Sequence, residues 1–567
     1  MLLSLAQKIN RAKVTYVNLT YFFMSFYFRL VDTVQGTHYY QYAARTWYKT
    51  FRMSLNWGFW IYDHILWWWR PIYRFTIIST VVIASFGIGY MMPTFENKSL
   101  MGKLPFQELF LVVPVGMLAL LAWDKFGQPD KDGKSSYFEY GILAMVGAAC
   151  AFRFRLPTGS ESPLVMSLII ALGLIGLWMA QMILMDKQFY VKSSPINIPA
   201  FIFITIAITS YIWSLSFRDV LVSVRKSFVV VQLASLIVIV GLPFMTLLIS
   251  NKIENVKWIR WMVGILLTAS VVAVFGRITK NTLLTHSISR KPFILAIHDR
   301  GLFACWVVAI CYGMVLYNEN LKWKQRLFFL ALMGGWIYYT FFMAQSWASG
   351  WMPWLFACVI LTFRRSKIMF FTAVFGAILF LTLNFSFVEE MLASEEEEGA
   401  GERQELWSLS FGHIKNHPFF GMGPAGYAAY YMAYHPHNAR STHNNYFDIA
   451  AQHGVMGLVA FLWLVYAIQK TNQETARNVK GQRNFEEAFA NASIAAGYAA
   501  LLAGMLGDWI FPFAYNETIA GFDNAIYTWA FWGAAIALHH ITEKRKVEGI
   551  SQSQIKLSDE SFASITA

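Results

Sequence analysis

From residue 75 to residue 541 one pattern repeats: a run of apolar residues, then a short polar break. An α-helix rises ~1.5 Å per residue, so about 20 apolar residues cross the ~30 Å hydrocarbon layer of a bilayer. Runs of this kind fall near 75–93, 105–123, 137–152, 163–185, 199–216, 227–250, 258–276, 301–317, 326–344, 351–363, 368–387, 446–468, 488–511 and 525–541. They predict an all-α polytopic membrane protein of about 12–14 transmembrane helices. The run at 351–363 is short, and reads as a tilted span or as half of a broken helix. Residues 1–70 mix aromatic and basic residues and end on Trp67-Trp68-Trp69-Arg70. That pattern predicts interfacial helices lying on the bilayer. A span starting near Tyr16 is the competing reading, and the mixture lacks the apolar core of a cleavable signal.

One long stretch breaks the rhythm. Residues 388–445 are polar, and a loop of that length between spans carries function or a small fold of its own. Glu395–Glu398 reads as a solvated acidic face. From Arg403 onward, Trp407, Phe411, Ile414 and Phe419 follow helix-like spacing, which predicts an amphipathic surface helix. His417-Pro418 ends it, because the residue before proline avoids the α region. Gly421-Met422-Gly423-Pro424 then turns the chain.

Composition confirms the class. The chain of 567 residues is 56% hydrophobic and only 14% charged, against roughly 25% charged in soluble domains. Mean hydropathy is +0.43. The four cysteines lie in apolar runs and form neither a metal spacing nor a disulfide framework. Net charge is +13, yet no long basic run exists, so nucleic acid is not a partner.

Where the charge falls sets the topology. Arg364-Arg365-Ser366-Lys367, the 470–487 loop and Glu543-Lys544-Arg545-Lys546 belong inside by the positive-inside rule. That puts 388–445 outside and both termini inside. The domain plan is then an interfacial segment 1–70, a bundle 71–387, an outer loop 388–445, C-terminal spans 446–541 and a cytoplasmic tail 542–567. Several arginines now fall on outer loops: Arg153, Arg155, Arg218, Arg225, Arg300, Arg403 and Arg440. Guanidinium groups bind multiply charged anions by bidentate contacts. Singly, each also suits an arginine that snorkels to headgroups.

Five of the twelve histidines lie between His413 and His443. His435, His437 and His443 do not recur at helical ligand spacing and no cysteine joins them, so no metal site is expected. His443 differs by position. With Ser441 or Thr442 as cap it enters the first turn of the 446–468 helix. The positive end of the helix dipole disfavours imidazolium there, leaving a neutral imidazole able to accept a proton. Gly454 falls about three turns on, under His443 on the same face. Gly454 and Gly457 would let another helix approach closely. Asp508, ionisable within an apolar run, fits a transport path as an alternative.

At these residues the chain resembles the O-antigen ligase superfamily. His443-Asn444, nine residues, then Gly454-x-x-Gly457 fits its His-Asn-x9-Gly-x-x-Gly signature. Arg403-x-x-x-Trp407, then His417-Pro418-x-x-Gly421-Met422-Gly423-Pro424, resembles the passage that precedes it. The related region spans about 325–465. A Ser-Arg pair that the family often carries before the basic turn is replaced here by Gln345 to Trp351, without arginine. The resemblance implies a GT-C-like glycosyltransferase in the bacterial cytoplasmic membrane, active on its outer side in cell-envelope polysaccharide synthesis. It implies an undecaprenyl-diphosphate-linked glycan as donor, a glycan, lipid or protein acceptor, and no cofactor or metal. His443 is then the general base, with Asn444 or Asp448 orienting it. Arg218, Arg225, Arg300 and Arg403 are candidates for the diphosphate, and Gly421, Gly423, Gly454 and Gly457 are structural. A polysaccharide polymerase is the close alternative, and a transporter of lipid-linked substrate the distant one.

Overall fold

The computed structural model describes residues 137–151, 155–156, 164–225, 227–280, 301–343, 348–383, 400–435, 441–513 and 518–548. The 1–70 segment, the runs at 75–93 and 105–123, the Glu395–Glu398 acids, Arg153, Arg300, His437 and Arg440 lie outside the described residues.

In order, the elements are α1 (Tyr137–Ala151), β1 (Arg155–Leu156), β2 (Leu164–Val165), α2 (Met166–Ala180, continuing as a π turn to Asp186), α3 (Asn197–Ser216) and α4 (Phe228–Lys252). Then follow α5 (Val256–Ile278), α6 (Phe303–Tyr317), α7 (Trp323–Tyr338, with a π turn to Met343), α8 (Ala348–Arg365) and α9 (Lys367–Leu383). The loop helices α10 (Ala400–Asn416) and α11 (Gly426–Tyr434) precede α12 (Asn445–Asn478), α13 (Phe485–Leu506) and α14 (Phe522–Val547). β1 and β2 make only a two-residue antiparallel pair, so the fold is all-α in substance. Among the described residues, seven helices are long and apolar enough to cross a membrane. The short run at 351–363 lies in α8, which is 18 residues long with Pro353 near its start.

Small residues set the packing. α13 reads Phe-Glu-Glu-Ala-Phe-Ala-Asn-Ala-Ser-Ile-Ala-Ala-Gly and is buried along most of its length. A side chain at Gly313 of α6 would meet Ala488 and Ala492 of α13, and one at Gly533 of α14 would meet Thr246 and Ile249 of α4. Small-on-small contact lets backbones approach where no hydrophobic drive exists between helices in lipid. α12 lies against α3, α13 and α14.

The loops gather on two faces. One carries 187–196, 253–255, 318–322, 364–367, 479–484 and the end of α14. Lys192 pairs with Glu254 there at 3.1 Å, and Arg483 with Glu319 at 2.9 Å. Asn484 caps α13 by accepting from Glu486 N and Glu487 N, at 3.0 and 3.2 Å. The other face carries 217–227, α10, α11, the start of α12 and 507–513.

On that second face α10 and α11 build a small fold. Leu406, Ser410 and Ile414 form the buried stripe of α10, while Phe411 and Phe419, read from spacing as apolar anchors, are exposed. The stripe runs at i, i+4 and i+8, and the Ser410 hydroxyl donates to the Tyr427 hydroxyl of α11 at 2.9 Å. Burial pushes the Tyr427 phenol well above its usual range, Ser410 opposing.

Candidate functional site

α12 is two helices in one. Gly454 has φ 71° and ψ 179°, a conformation foreign to any helix and accessible in practice only to glycine. The expectation of an unbroken helix with Gly454 three turns beneath His443 is therefore wrong. The break frees backbone groups that must be satisfied inside a membrane protein. The glycine-rich turn after α10 satisfies them. Val455 N donates to Pro418 O at 2.7 Å, Met422 N to Ala451 O at 2.9 Å, and Gly423 N to Gln452 O at 2.9 Å. From α3, the Ser210 hydroxyl shares its proton between Phe420 O (2.6 Å) and Gln452 O (2.7 Å).

This docking explains the glycines. Gly421 and Gly423 have φ of 64° and 83°. A side chain at Gly421 would strike the Ala451 and Gln452 backbone, one at Gly423 the Ser214 side chain, and one at Gly454 the Phe419 carbonyl. Gly457 stands tight against His453 and within contact of Ile206 on α3. The two motifs separated in sequence are one backbone-to-backbone unit in space.

His443 sits at the N-terminal lip of the upper half-helix. It does not enter the first turn as its spacing suggested: Asn444 is the cap, and the helix starts at Asn445. The Asn444 side chain accepts from Tyr446 N at 2.9 Å and Phe447 N at 3.3 Å. Ser441 and Thr442 are not caps. The Ser441 hydroxyl donates to Asp508 at 2.6 Å and accepts from His443 N at 3.0 Å. The Thr442 hydroxyl donates to Asn444 O at 2.8 Å, and its carbonyl accepts from the Trp407 indole at 2.9 Å. Trp407 also stacks on Phe447 with ring centroids 5.7 Å apart. Held from both sides, His443 adopts φ 47°, a left-handed conformation that costs a non-glycine residue about 1 kcal/mol. Its neighbours Thr442 and Asn444 are buried while it remains partly exposed. Strain at one partly exposed residue between buried anchors is of the kind that clusters at functional sites.

Two hydrogen-bonded runs, meeting at the Gly423 turn, lie between this lip and an arginine. Asp448 N donates to Asn444 O at 3.0 Å, and the Asp448 carboxylate accepts from Gln452 Nε2 at 2.8 Å. Gln452 Oε1 accepts from Ala425 N at 2.6 Å. Beyond Gly423, Ser214 accepts from Gln232 at 3.0 Å, and Gln232 accepts from Arg218 at 3.2 Å. Arg218 also lies over the Phe228 ring, 5.5 Å from its centre. Arg225 is exposed in the same loop. Arg403 lies in α10. Beside Arg218, Asp219 accepts from the Tyr434 hydroxyl at 3.3 Å and meets His417 at 3.3 Å.

Asn444 and Asp448 are thus spent on capping and on Gln452. Asp508, read from sequence as a transport residue, is the acid that holds the His443 loop through Ser441. Asn445, Gln452 and Gln232 escaped the sequence reading, which held Trp407 only as part of a motif and a helix face. Only Trp407 carried a signal, through its motif, because the others act across long sequence separations. Asn445 joins the site to the loop after α13: it accepts from Ile510 N at 2.8 Å and donates to Phe511 O at 2.7 Å. Among the described residues no group of three or more metal-binding side chains occurs.

Residues 293–462 match the family model for O-antigen ligase. The match takes in α10, α11, both glycine motifs, His443 and the break at Gly454, and it supports the O-antigen ligase superfamily for this chain. It stops short of α3 and α4, so Arg218, Arg225 and Gln232 lie outside it. No curated protein matches the chain. The helices and the family together indicate a multi-pass membrane protein of O-antigen ligase or polymerase type.

Proposed function

We propose that this O-antigen-ligase-type protein transfers a glycan from a polyprenyl diphosphate to an acceptor hydroxyl at the face that carries α10 and α11, and that this face is the outer one. The observation that carries the reading is His443, strained and partly exposed at a half-helix lip with Arg218 and Arg225 on the same face. An acceptor hydroxyl attacks C1 of the glycan as the C1–O bond to diphosphate breaks. His443 takes the hydroxyl proton, which is worth about 10²–10⁴ in rate. Arg218 and Arg225 stabilise the charge that develops on the leaving diphosphate, with Arg300 and Arg403 as further candidates. Asn444 and Asp448 serve this chemistry by fixing the backbone under His443. Direct displacement inverts the anomeric centre.

The test uses purified protein in liposomes, a synthetic polyprenyl-diphosphate glycan and a separate acceptor. Wild type yields a single transferred product, and His443→Ala lowers the rate by about 10² or more while the protein still folds. Full activity in His443→Ala refutes the base. A ladder growing on the lipid carrier shows a polymerase instead, and loss of activity in EDTA shows that a metal ion is required.

A further inference from the structure

Beside the helix break lies a cavity of about 10 Å³, room for the centre of one water molecule. Its apolar walls come from Phe203 of α3, Ile239 of α4 and Phe511, and its polar wall from Asp448, Gln452 and His453 of α12. His453 is 1% exposed, and neither ring nitrogen has a hydrogen-bond partner among the described residues. Phe203 meets the imidazole edge-on, with centroids 6.2 Å apart. A buried polar group without a partner costs about 1–3 kcal/mol. A phenylalanine would fill the same space beside Phe203 and Phe511 without that cost. The imidazole therefore has a partner that the described residues do not supply.

The lining decides what the partner is. One histidine and one carboxylate are too few for a transition metal, which takes four ligands as a rule. A calcium or magnesium ion selects oxygen ligands throughout. Water fits: it donates to a carboxylate and to one ring nitrogen, and it needs two to four polar partners in a space of this size. We propose that a single water bridges His453 to the Asp448 carboxylate, making His453 a positioning residue for the site above it. Asp448 so fixed holds Gln452, and Gln452 holds the Ala425 backbone and the Gly423 turn. That turn stands against Ser214, through which Gln232 and Arg218 are placed.

Radiolytic footprinting with X-ray pulses, which modifies side chains beside bound waters, tests the water without any assay of function. Wild type is modified at Phe511 although that residue is 2% exposed. Modification falls to background in His453→Phe, and equally in Asp448→Leu, which removes the other anchor and leaves His453 in place. No modification of Phe511 in wild type, or undiminished modification in both variants, overturns the water. The positioning role rests on the transfer reading, and its own arm is kinetic. His453→Phe lowers kcat about tenfold with KM unchanged, and His453→Gln, which keeps a donor and an acceptor, restores most of it. Loss of the footprint with kcat unchanged overturns the positioning role. A wild type that transfers nothing overturns the transfer reading alone, since the footprint stands apart from it.

Discussion

The two loop faces of this molecule differ in how far their cations meet carboxylates. On the face with the basic turns, cations meet carboxylates. Arg545 donates to both oxygens of Glu486, at 2.8 and 2.9 Å, and Glu486 is 1% exposed. Arg483 and Arg365 share Glu319, at 2.9 and 3.7 Å, and Lys546 and Asn478 share Glu543, at 3.1 and 2.6 Å. On the face with His443, Arg218 meets a neutral carboxamide and an aromatic ring, and Arg225 has no ion pair among the described residues. Paired charges hold helices together. An arginine not bonded to a carboxylate keeps its attraction for an anion from outside, and the acid beside Arg218, Asp219, is engaged by His417 at 3.3 Å. The faces differ in backbone as well. The basic face uses an ordinary asparagine cap on α13, while the His443 face breaks a helix and repairs it with a glycine turn.

The largest test of that contrast compares two glycines. Gly454 and Gly481 both have positive φ, 71° and 83°. A side chain at Gly481, on the basic face, meets nothing, whereas one at Gly454 runs into the Phe419 carbonyl. Gly481→Ala costs only its left-handed conformation, about 1 kcal/mol. Gly454→Ala adds a backbone clash that cannot relax without undocking the 418–423 turn, so a loss above about 3 kcal/mol is expected. Thermal midpoints in detergent, read by size-exclusion fluorescence, give the comparison. Equal losses in the two variants would mean that α12 is not locked at its break.

Charge removal should separate the faces by the kind of loss. Arg545→Ala strands a buried carboxylate and costs about 3–5 kcal/mol of stability, with no specific effect on transfer by the protein that remains folded. Arg218→Ala leaves only a carboxamide without its partner and costs about 1 kcal/mol. Its effect falls on transfer instead, about tenfold or more in kcat/KM. Arg218→Lys keeps the charge but loses the planar fork, so it recovers only part. A stable Arg218→Ala with undiminished transfer would remove Arg218 from the diphosphate site.

A smaller effect belongs to the cap. Asn444→Ala removes one carboxamide oxygen from two backbone N–H groups and costs about 1 kcal/mol. Asn444→Asp keeps the acceptor and suits the helix N-terminus. The pair therefore asks whether Asn444 acts as a cap alone. If Asn444→Asp is as stable as wild type yet inactive, the carboxamide has a role beyond the helix.

How far the sequence carried this picture depends on the range of the interactions. The spans were legible because a membrane helix is fixed by local composition and length: α3, α4 and α5 begin within about two residues of their apolar runs. α10 was legible from its spacing and from His417-Pro418, but not which face it buries, since Phe411 is apolar and still exposed. The cap moved from Ser441 or Thr442 to Asn444 because Asp508, 67 residues away in sequence, takes the Ser441 hydroxyl, and the Thr442 hydroxyl turns to the Asn444 carbonyl. The break at Gly454 was hidden for the same reason. A glycine in an apolar run reads as a packing site, and only the 418–423 backbone makes a broken helix affordable. His443 was found by its motif, while the amides beneath it came from α4 and α12 with no local pattern to mark them.

The smallest effect is a pH dependence in the docking of α10. Burial, with His435 and His417 adding to it and Asp219 opposing, holds His413 of α10 below its usual value of 6.5. Above 6.5 the imidazole is neutral whether α10 is docked or not, and its contribution to docking is complete. As pH falls below 6.5, the undocked form takes up a proton that the docked form resists, so docking weakens down through the lowered value. On the basic face, the Lys546 ammonium, and after it Asn478, holds Glu543 below its usual 4.5. That contribution is complete above 4.5 and is lost only at lower pH. Between pH 7 and about 5, the His413 contribution should therefore fall while the Lys546–Glu543 contact holds. Hydrogen exchange corrected for intrinsic rate should show protection falling in 405–416 and 426–434. His413→Gln should flatten the change in both segments. If His413→Gln leaves the pH dependence of these segments intact, the loosening does not arise from this histidine.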